Sequence, residues 1–305
     1  MKKVIVKMVL FAACFIGLYY FCESQTKGFR LQEILSDIPN NPAWEVDPLP
    51  TEQRKDVVQR LDQTFRYLGS GCQSHAFLGD DGKTVLKFFR HNDVSLMRIL
   101  QKFSAEKWLW TFTKKYDPAG VLDSCKLAYV DLKDQTAISY LHFNKTRDLF
   151  KPVLLVDRSE VAHVVELDKT EFMVQEYCEL ATHRIAAKMK QDDSEGAKKA
   201  IQALFVAIRD WSRQGVHIEN PALKRNIGFC GDKVIMFDVG SLRKETAEMS
   251  PEQIQREVKH VSRALGRWIN KKYPELTPCF QEELTSWTPS SLNSVLHPGL
   301  QSLAR

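Results

Sequence analysis

None of the seven cysteines in this sequence sits in a CxxC pair, which removes the usual grounds for a structural zinc site. No dense basic block with interleaved aromatics is present, and the formal net charge of +5 is mild, so nucleic-acid binding is not indicated. Internal repeats and low-complexity tracts are missing too, which excludes a solenoid or a disordered array. No uncharged apolar run reaches the roughly 20 residues of a full membrane span. The longest, Met8 to Cys22, has 15. What remains is an ordinary globular composition, 44% hydrophobic and 27% charged over 305 residues, enough for one large domain or two lobes.

The apolar run follows a basic start of Lys2, Lys3 and Lys7, and no small-x-small cleavage site comes after it. Residues 1–27 are therefore expected to be an uncleaved single-pass signal anchor touching the membrane through residues 4–22. A cleaved signal peptide and a buried N-terminal helix are the alternatives. Lysines ahead of the run would hold the N-terminus in the cytoplasm and put the body across the membrane. In the body, Cys72, Cys125, Cys178, Cys230 and Cys279 form an odd, scattered set, read as buried thiols rather than as a disulfide framework.

Residues 28–51 are rich in Pro, Asn and Asp and read as a linker with one short helix near residues 29–35. Helical spacing over 52–61 gives way to strands in "FRYLG" and "HAFLGDDGKTVLKFF", with a hairpin turn at Asp81-Gly82. A long helix is expected over about 94–113. Strands are expected in "SCKLAYVDL", "QTAISYLHF", "FKPVLLVD", "VAHVVEL" and "EFMVQEY". Helical periodicity returns near Glu195 and ends at Gly215, and "NIGFCGDKVIMFD" reads as two short strands around Gly231-Asp232. Ser250-Pro251-Glu252-Gln253 is a capping box with proline at the first helical position, opening a helical C-terminal stretch. The expected fold class is α+β, with a β-rich lobe over 52–178 and a mostly helical lobe over 179–305.

Two stretches suggest chemistry. In "GSGCQS", Gly69 and Gly71 let backbone approach phosphate oxygens with no side chain in the way, although an ordinary β-turn also accounts for them. A strand rather than a helix follows, which excludes a dinucleotide fingerprint. Lys87 stands inside the apolar strand "TVLKFF", either as a surface lysine lying along apolar neighbours or as a phosphate-gripping cation. Farther on, Asp238 follows four apolar residues and precedes Gly240; it is either a turn-capping carboxylate or a metal ligand.

Together these parts resemble the protein-kinase-like superfamily, in its atypical and small-molecule branches. "GSGCQSHA" is similar to the glycine-rich loop, with Ser74 in place of the third glycine and Ala76 at the small apolar position. "TVLK" is similar to the lysine strand. The resemblance implies a two-lobed fold in which Gly69 and Gly71 cover the phosphates of ATP, and Lys87, paired with Glu106, clamps them. "FMVQEYCEL" resembles the hinge, and Asn226 and Asp238 resemble the two magnesium ligands. Two departures stand out. Asn220, or Pro221 when counted from Asn226, takes the place of the catalytic aspartate, and neither accepts a proton. Glu219 is the adjacent candidate base and His217 a weaker one. The long activation segment ending in Ala-Pro-Glu is also missing. A fainter resemblance is to kinase-like proteins of chlamydia-type bacteria, and it implies nothing about substrate.

Three readings follow. The chain is an ATP- and magnesium-dependent phosphotransferase acting on an unknown protein or small-molecule acceptor, a pseudokinase acting as a binding or scaffold module, or a generic anchored α+β domain with coincidental motifs.

Overall fold

The computed structural model describes residues 7, 10–11, 14–18, 21, 29–36, 38–46, 49–71, 73–91, 118–218, 226–245 and 249–286. The chain is a mixed α/β protein dividing into two compact units, residues 1–122 with 138–177, and residues 123–137 with 178–305. Of the first 28 residues, those described are helical and exposed. Among the described residues no helix is long and apolar enough to cross a membrane, so the expected N-terminal hydrophobic membrane helix is not found there. The helix expected over 94–113 lies outside the described residues.

The first unit is built on a seven-stranded sheet. Its elements are α1 (Leu31–Ile34), α2 (Thr51–Leu61), β1 (Thr64–Ser70), β2 (Ser74–Gly79), β3 (Thr84–Phe89), β4 (Ile138–His142), β5 (Val153–Val156), β6 (Ala162–Val165) and β7 (Phe172–Glu176). The strand order is β4-β7-β3-β2-β1-β5-β6. Neighbours are antiparallel except β1 and β5, which run parallel. The side-chain period of 2 sorts β3 into two faces. Leu86 and Phe88 point into a core with Phe77, Phe172 and Val174, closed by Ile34 of α1 and by Val57 and Leu61 of α2. Val85, Lys87 and Phe89 take the other face, and Lys87 alone on this strand is not buried. The turn between β2 and β3 is the expected one, with Gly82 at φ +66°. The Asp81 carboxylate accepts from the Lys83 and Thr84 amides at 2.8 and 2.9 Å and from the Thr84 hydroxyl at 2.6 Å.

The second unit contains most of α3 (Pro118–Asp131), with α4 (Lys133–Thr136), α5 (Ala181–Lys190), α6 (Ser194–Arg213), α7 (Pro251–Lys272) and α8 (Thr277–Thr285). Its strands are β8 (Glu179–Leu180), β9 (Val216–Ile218), β10 (Ile227–Cys230), β11 (Lys233–Met236) and β12 (Leu242–Lys244), paired as β11-β10-β8 and β12-β9. The capping box opens α7 as expected, the Ser250 and Gln253 side chains each accepting from the other's backbone N–H. Helices α6 and α8 meet through Phe205 and Phe280, ring centroids 5.3 Å apart, and through buried Arg209, paired with Glu283 at 3.1 Å.

Two expectations need correction. "SCKLAYVDL" is helix α3 and not a strand. Its buried residues Leu122, Cys125, Ala128 and Tyr129 recur at helical spacing, and an apolar run without flanking turn signals does not reveal which period applies. Cys178 and Cys230 are not free thiols but a disulfide across 52 residues. Glu179 pairs with Phe229 and Leu180 with Gly228, and continuing that antiparallel register brings the two cysteines opposite each other, Cα atoms 4.6 Å apart. Sequence spacing carries no trace of such a cross-strand pair.

Candidate functional site

In the first unit the glycine turn joins β1 to β2. The Gly71 amide donates to the Ser74 carbonyl at 2.9 Å, and the register of the two strands shifts between Tyr67 and Gly69. Neither glycine is demanded by the protein itself. A Cβ added at Gly69 would meet nothing within 4 Å, and at Gly71 only the Ser74 carbonyl at 3.9 Å. The main chain at both positions is thus open to close approach from outside.

The register then places a row across the sheet. Gly69 opposes Ala76, Ala76 opposes Lys87, Lys87 opposes Met173, and Met173 opposes Leu141. Cross-strand partners share a face, so the half-buried Lys87 stands between the Ala76 methyl and the Met173 side chain, with Gly69 one strand beyond Ala76. This face is the one turned away from the phenylalanine core. On the Ala76 side only a methyl stands between Lys87 and the glycine turn, whereas the other side is taken by the buried Met173. Glu106, expected to pair with Lys87, lies outside the described residues. The expected hinge segment holds the point where the two units divide, between Tyr177 and Cys178.

In the second unit, strands β10 and β11 form a hairpin with Ile227 opposite Met236. Its open end brings the other predicted pair together. The Phe237 amide donates to the Asn226 carbonyl at 2.7 Å, and the Asn226 amide nitrogen lies 3.3 Å from Asp238 Oδ2. Both side chains are half-buried. Asp238 is held in place from behind. Val239 is buried, and the Ser124 hydroxyl of α3 donates to its carbonyl at 2.5 Å while accepting the Leu242 amide at 2.8 Å. An amide oxygen and a carboxylate are hard donors of the kind magnesium takes, and cis oxygens on one such ion stand about 3 Å apart. As it stands the Asn226 amide donates to the Asp238 carboxylate, so a magnesium ion held by both would need the amide turned to present its oxygen.

Strand β9 leads toward the expected catalytic loop. His217 Nδ1 lies 2.8 Å from Glu257 Oε2, and Glu257 Oε1 accepts the Ile218 amide at 3.0 Å. At the other side of this strand, Gly215 adopts φ +76°, and a Cβ there would come within 2.6 Å of the Glu245 carbonyl, so only glycine fits. Glu219 and Asn220 themselves lie outside the described residues. The sequence offered no warning of Ser124 or Glu257 as supports. Glu257 does interrupt the apolar stripe of α7, between Ile254 and Val258, and that position was the available signal. A cavity of about 480 Å³ lies elsewhere in the first unit, between Trp44 and Arg54 on one side and Tyr140 and Asn144 on the other, and none of the predicted site residues lines it.

No family model matches the chain, and no curated protein matches it. Among solved structures it is similar to WbdD, crystallised with the kinase inhibitor LY294002, at 14% identity over 71% of this chain and 45% of that one, with a TM-score of 0.33. It is similar to the Rv3197–erythromycin complex from Mycobacterium tuberculosis, at 14% identity over 92% and 75%, with a TM-score of 0.30. A second structure of WbdD, described as a bifunctional kinase-methyltransferase, aligns at 12% identity over 73% and 46%, with a TM-score of 0.29. The chain spans less than half the length of the WbdD chains it matches. Nothing in these likenesses points to chlamydia-type bacteria. At this level they carry no function across.

Proposed function

We propose that this is a divergent kinase-like protein that binds ATP with magnesium and transfers phosphate to a protein or small-molecule acceptor. The observation that carries the reading is the row Gly69–Ala76–Lys87, in which a single methyl separates the lysine from the glycine turn that joins β1 to β2. Backbone at Gly69 and Gly71 would face phosphate oxygens, and Lys87 would hold α/β-phosphate charge in the way the superfamily uses its strand lysine. Asn226 and Asp238 would hold magnesium, which supplies positive charge to the phosphates when bound. Glu106 is proposed as the partner of Lys87. Because catalysis in this class is mostly positioning and charge stabilisation, a displaced base slows transfer without removing the site.

Asn220, where a carboxylate is expected, favours a second reading in which nucleotide is bound but not turned over, and the protein works as a binding module. The buried Glu257 fixes both His217 and the Ile218 amide, and so steadies the chain leading directly to Glu219. Glu219, the carboxylate next along the chain, is the proposed base. The basic start and apolar run of residues 2–22 support membrane anchoring, which fractionation of the full chain against one lacking residues 1–27 tests.

The deciding experiment follows transfer from radiolabelled ATP to a mixed acceptor set and to water. Turnover that falls at least tenfold in Glu219→Gln, with ATP affinity unchanged, supports the phosphotransferase. Binding without turnover in the wild type supports the pseudokinase, and no ATP binding at all rejects both.

A further inference from the structure

The other face of the same sheet carries a second arrangement, which does not depend on the nucleotide reading. Ser70 opposes His75 across β1 and β2, one position along from Gly69 and therefore on the core side. Ser70 Oγ and His75 Nδ1 are 2.9 Å apart, and His75 Nε2 and Glu33 Oε2 are 2.8 Å apart. His75 and Glu33 are buried, whereas Ser70 is exposed. Arg90 reaches the same Glu33 oxygen at 3.0 Å. The Phe29 ring packs against the imidazole in a T-shaped contact, ring centroids 5.1 Å apart.

The proton positions follow from the partners. An oxygen that receives the Arg90 N–H is an acceptor, so His75 Nε2 carries the hydrogen it shares with Glu33. Nδ1 is left with its lone pair and accepts from the Ser70 hydroxyl. Burial also holds His75 below the ordinary imidazole range, against the opposite pull of the Glu33 hydrogen bond, so the ring is neutral at pH 7. A neutral imidazole oriented by a carboxylate and bonded to a hydroxyl is the constellation that activates a serine. A clamp for the N-terminal segment would have no need to end on the hydroxyl of an exposed residue. The surroundings favour charge on an incoming group: Tyr67 hydrogen-bonds with Ser70, and Arg90 and Arg158 both lie close enough to act on the Tyr67 hydroxyl. Arg90 also donates to the Gly71 carbonyl at 3.4 Å.

We propose that Ser70 is a nucleophile for electrophilic phosphoryl and phosphonyl groups, with His75 as general base and Glu33 as the positioning residue. In the step, Ser70 Oγ forms a bond to phosphorus and the bond from phosphorus to the leaving group breaks with its electron pair. The hydroxyl proton passes to His75 Nδ1, while Nε2–H stays shared with Glu33.

An alkyl fluorophosphonate supplies the test, with fluoride as leaving group. The folded full chain is labelled, and the modified serines are located and timed by peptide mass spectrometry. Ser70 is expected to react at least tenfold faster than any other serine, and this preference is expected to vanish in urea. In Glu33→Gln the rate at Ser70 falls at least tenfold, and Glu33→Asp recovers part of it. Labelling of Ser70 no faster than the other exposed serines of the folded wild type overturns the proposal. Equal rates in the wild type and a folded Glu33→Gln overturn the relay. The wild-type comparison needs no variant, so it decides the matter even where the buried Glu33 tolerates no substitution.

Discussion

Ala76 and Lys87 lie directly opposite each other across β2 and β3, on the face of the sheet turned away from the phenylalanine core. The side chain between Lys87 and the glycine turn is thus a single methyl, and Gly69 on the next strand adds none. Ala76→Leu fills the row without touching the core. It is expected to weaken ATP binding at least tenfold while leaving the circular dichroism spectrum unchanged. Lys87→Ala removes the cation instead and is expected to cost about 1.5–3 kcal/mol of binding, the usual worth of a hydrogen bond to a charged group. Isothermal titration of both variants checks the pair; unchanged affinity in both removes the row from the site.

A pH prediction attaches to the β2–β3 turn. Desolvation pushes the Asp81 carboxyl up, but the Thr84 hydroxyl and the Lys83 and Thr84 amides outweigh it and hold the group at about 2. Because the folded value lies below the unfolded one, this carboxylate stabilises the fold above about pH 4 and ceases to do so as pH falls towards 2. Asp81 is solvent-exposed, so the effect is discounted to about 1 kcal/mol. Asp81→Asn should therefore lower the urea midpoint at pH 7, with the difference from wild type closing between pH 5 and pH 2. A constant difference across that range contradicts the assignment.

Reduction should be felt in the second unit. A disulfide closing a loop of 52 residues is worth about 2–4 kcal/mol. Cys178→Ser, or dithiothreitol on the wild type, should lower its thermal midpoint by roughly 5 to 15 °C. Free-thiol titration of the unfolded, unreduced chain checks the bond itself, since Cys178 and Cys230 must both fail to react.

The sequence was most legible where local chemistry decides. Asp81-Gly82, Gly231-Asp232 and the Ser250 capping box all sit where turn and cap rules put them, because each depends on residues within a few positions. The pairing of Asn226 with Asp238 was legible for the same reason, with one hairpin joining them. Partners set by topology were hidden. Cys178 meets Cys230 only because β8 joins β10, Ser124 meets Val239 from 115 residues away, and Glu33 meets His75 only because α1 covers the sheet. Helix α3 was misread because an apolar run buried on one side of a helix looks, without periodic polar positions, like a buried strand.

The most direct measurement is the thermal midpoint of the wild type and of Asp238→Asn in saturating ATP, each with and without magnesium. A ligand bound only by the folded state adds about 2.7 kcal/mol at a hundred times its dissociation constant. The wild type is expected to gain several degrees with ATP and magnesium together and little with ATP alone, and Asp238→Asn is expected to lose the magnesium-dependent part. Equal midpoints in all conditions would contradict nucleotide binding, and an equal gain in wild type and variant would contradict Asp238 as a magnesium ligand.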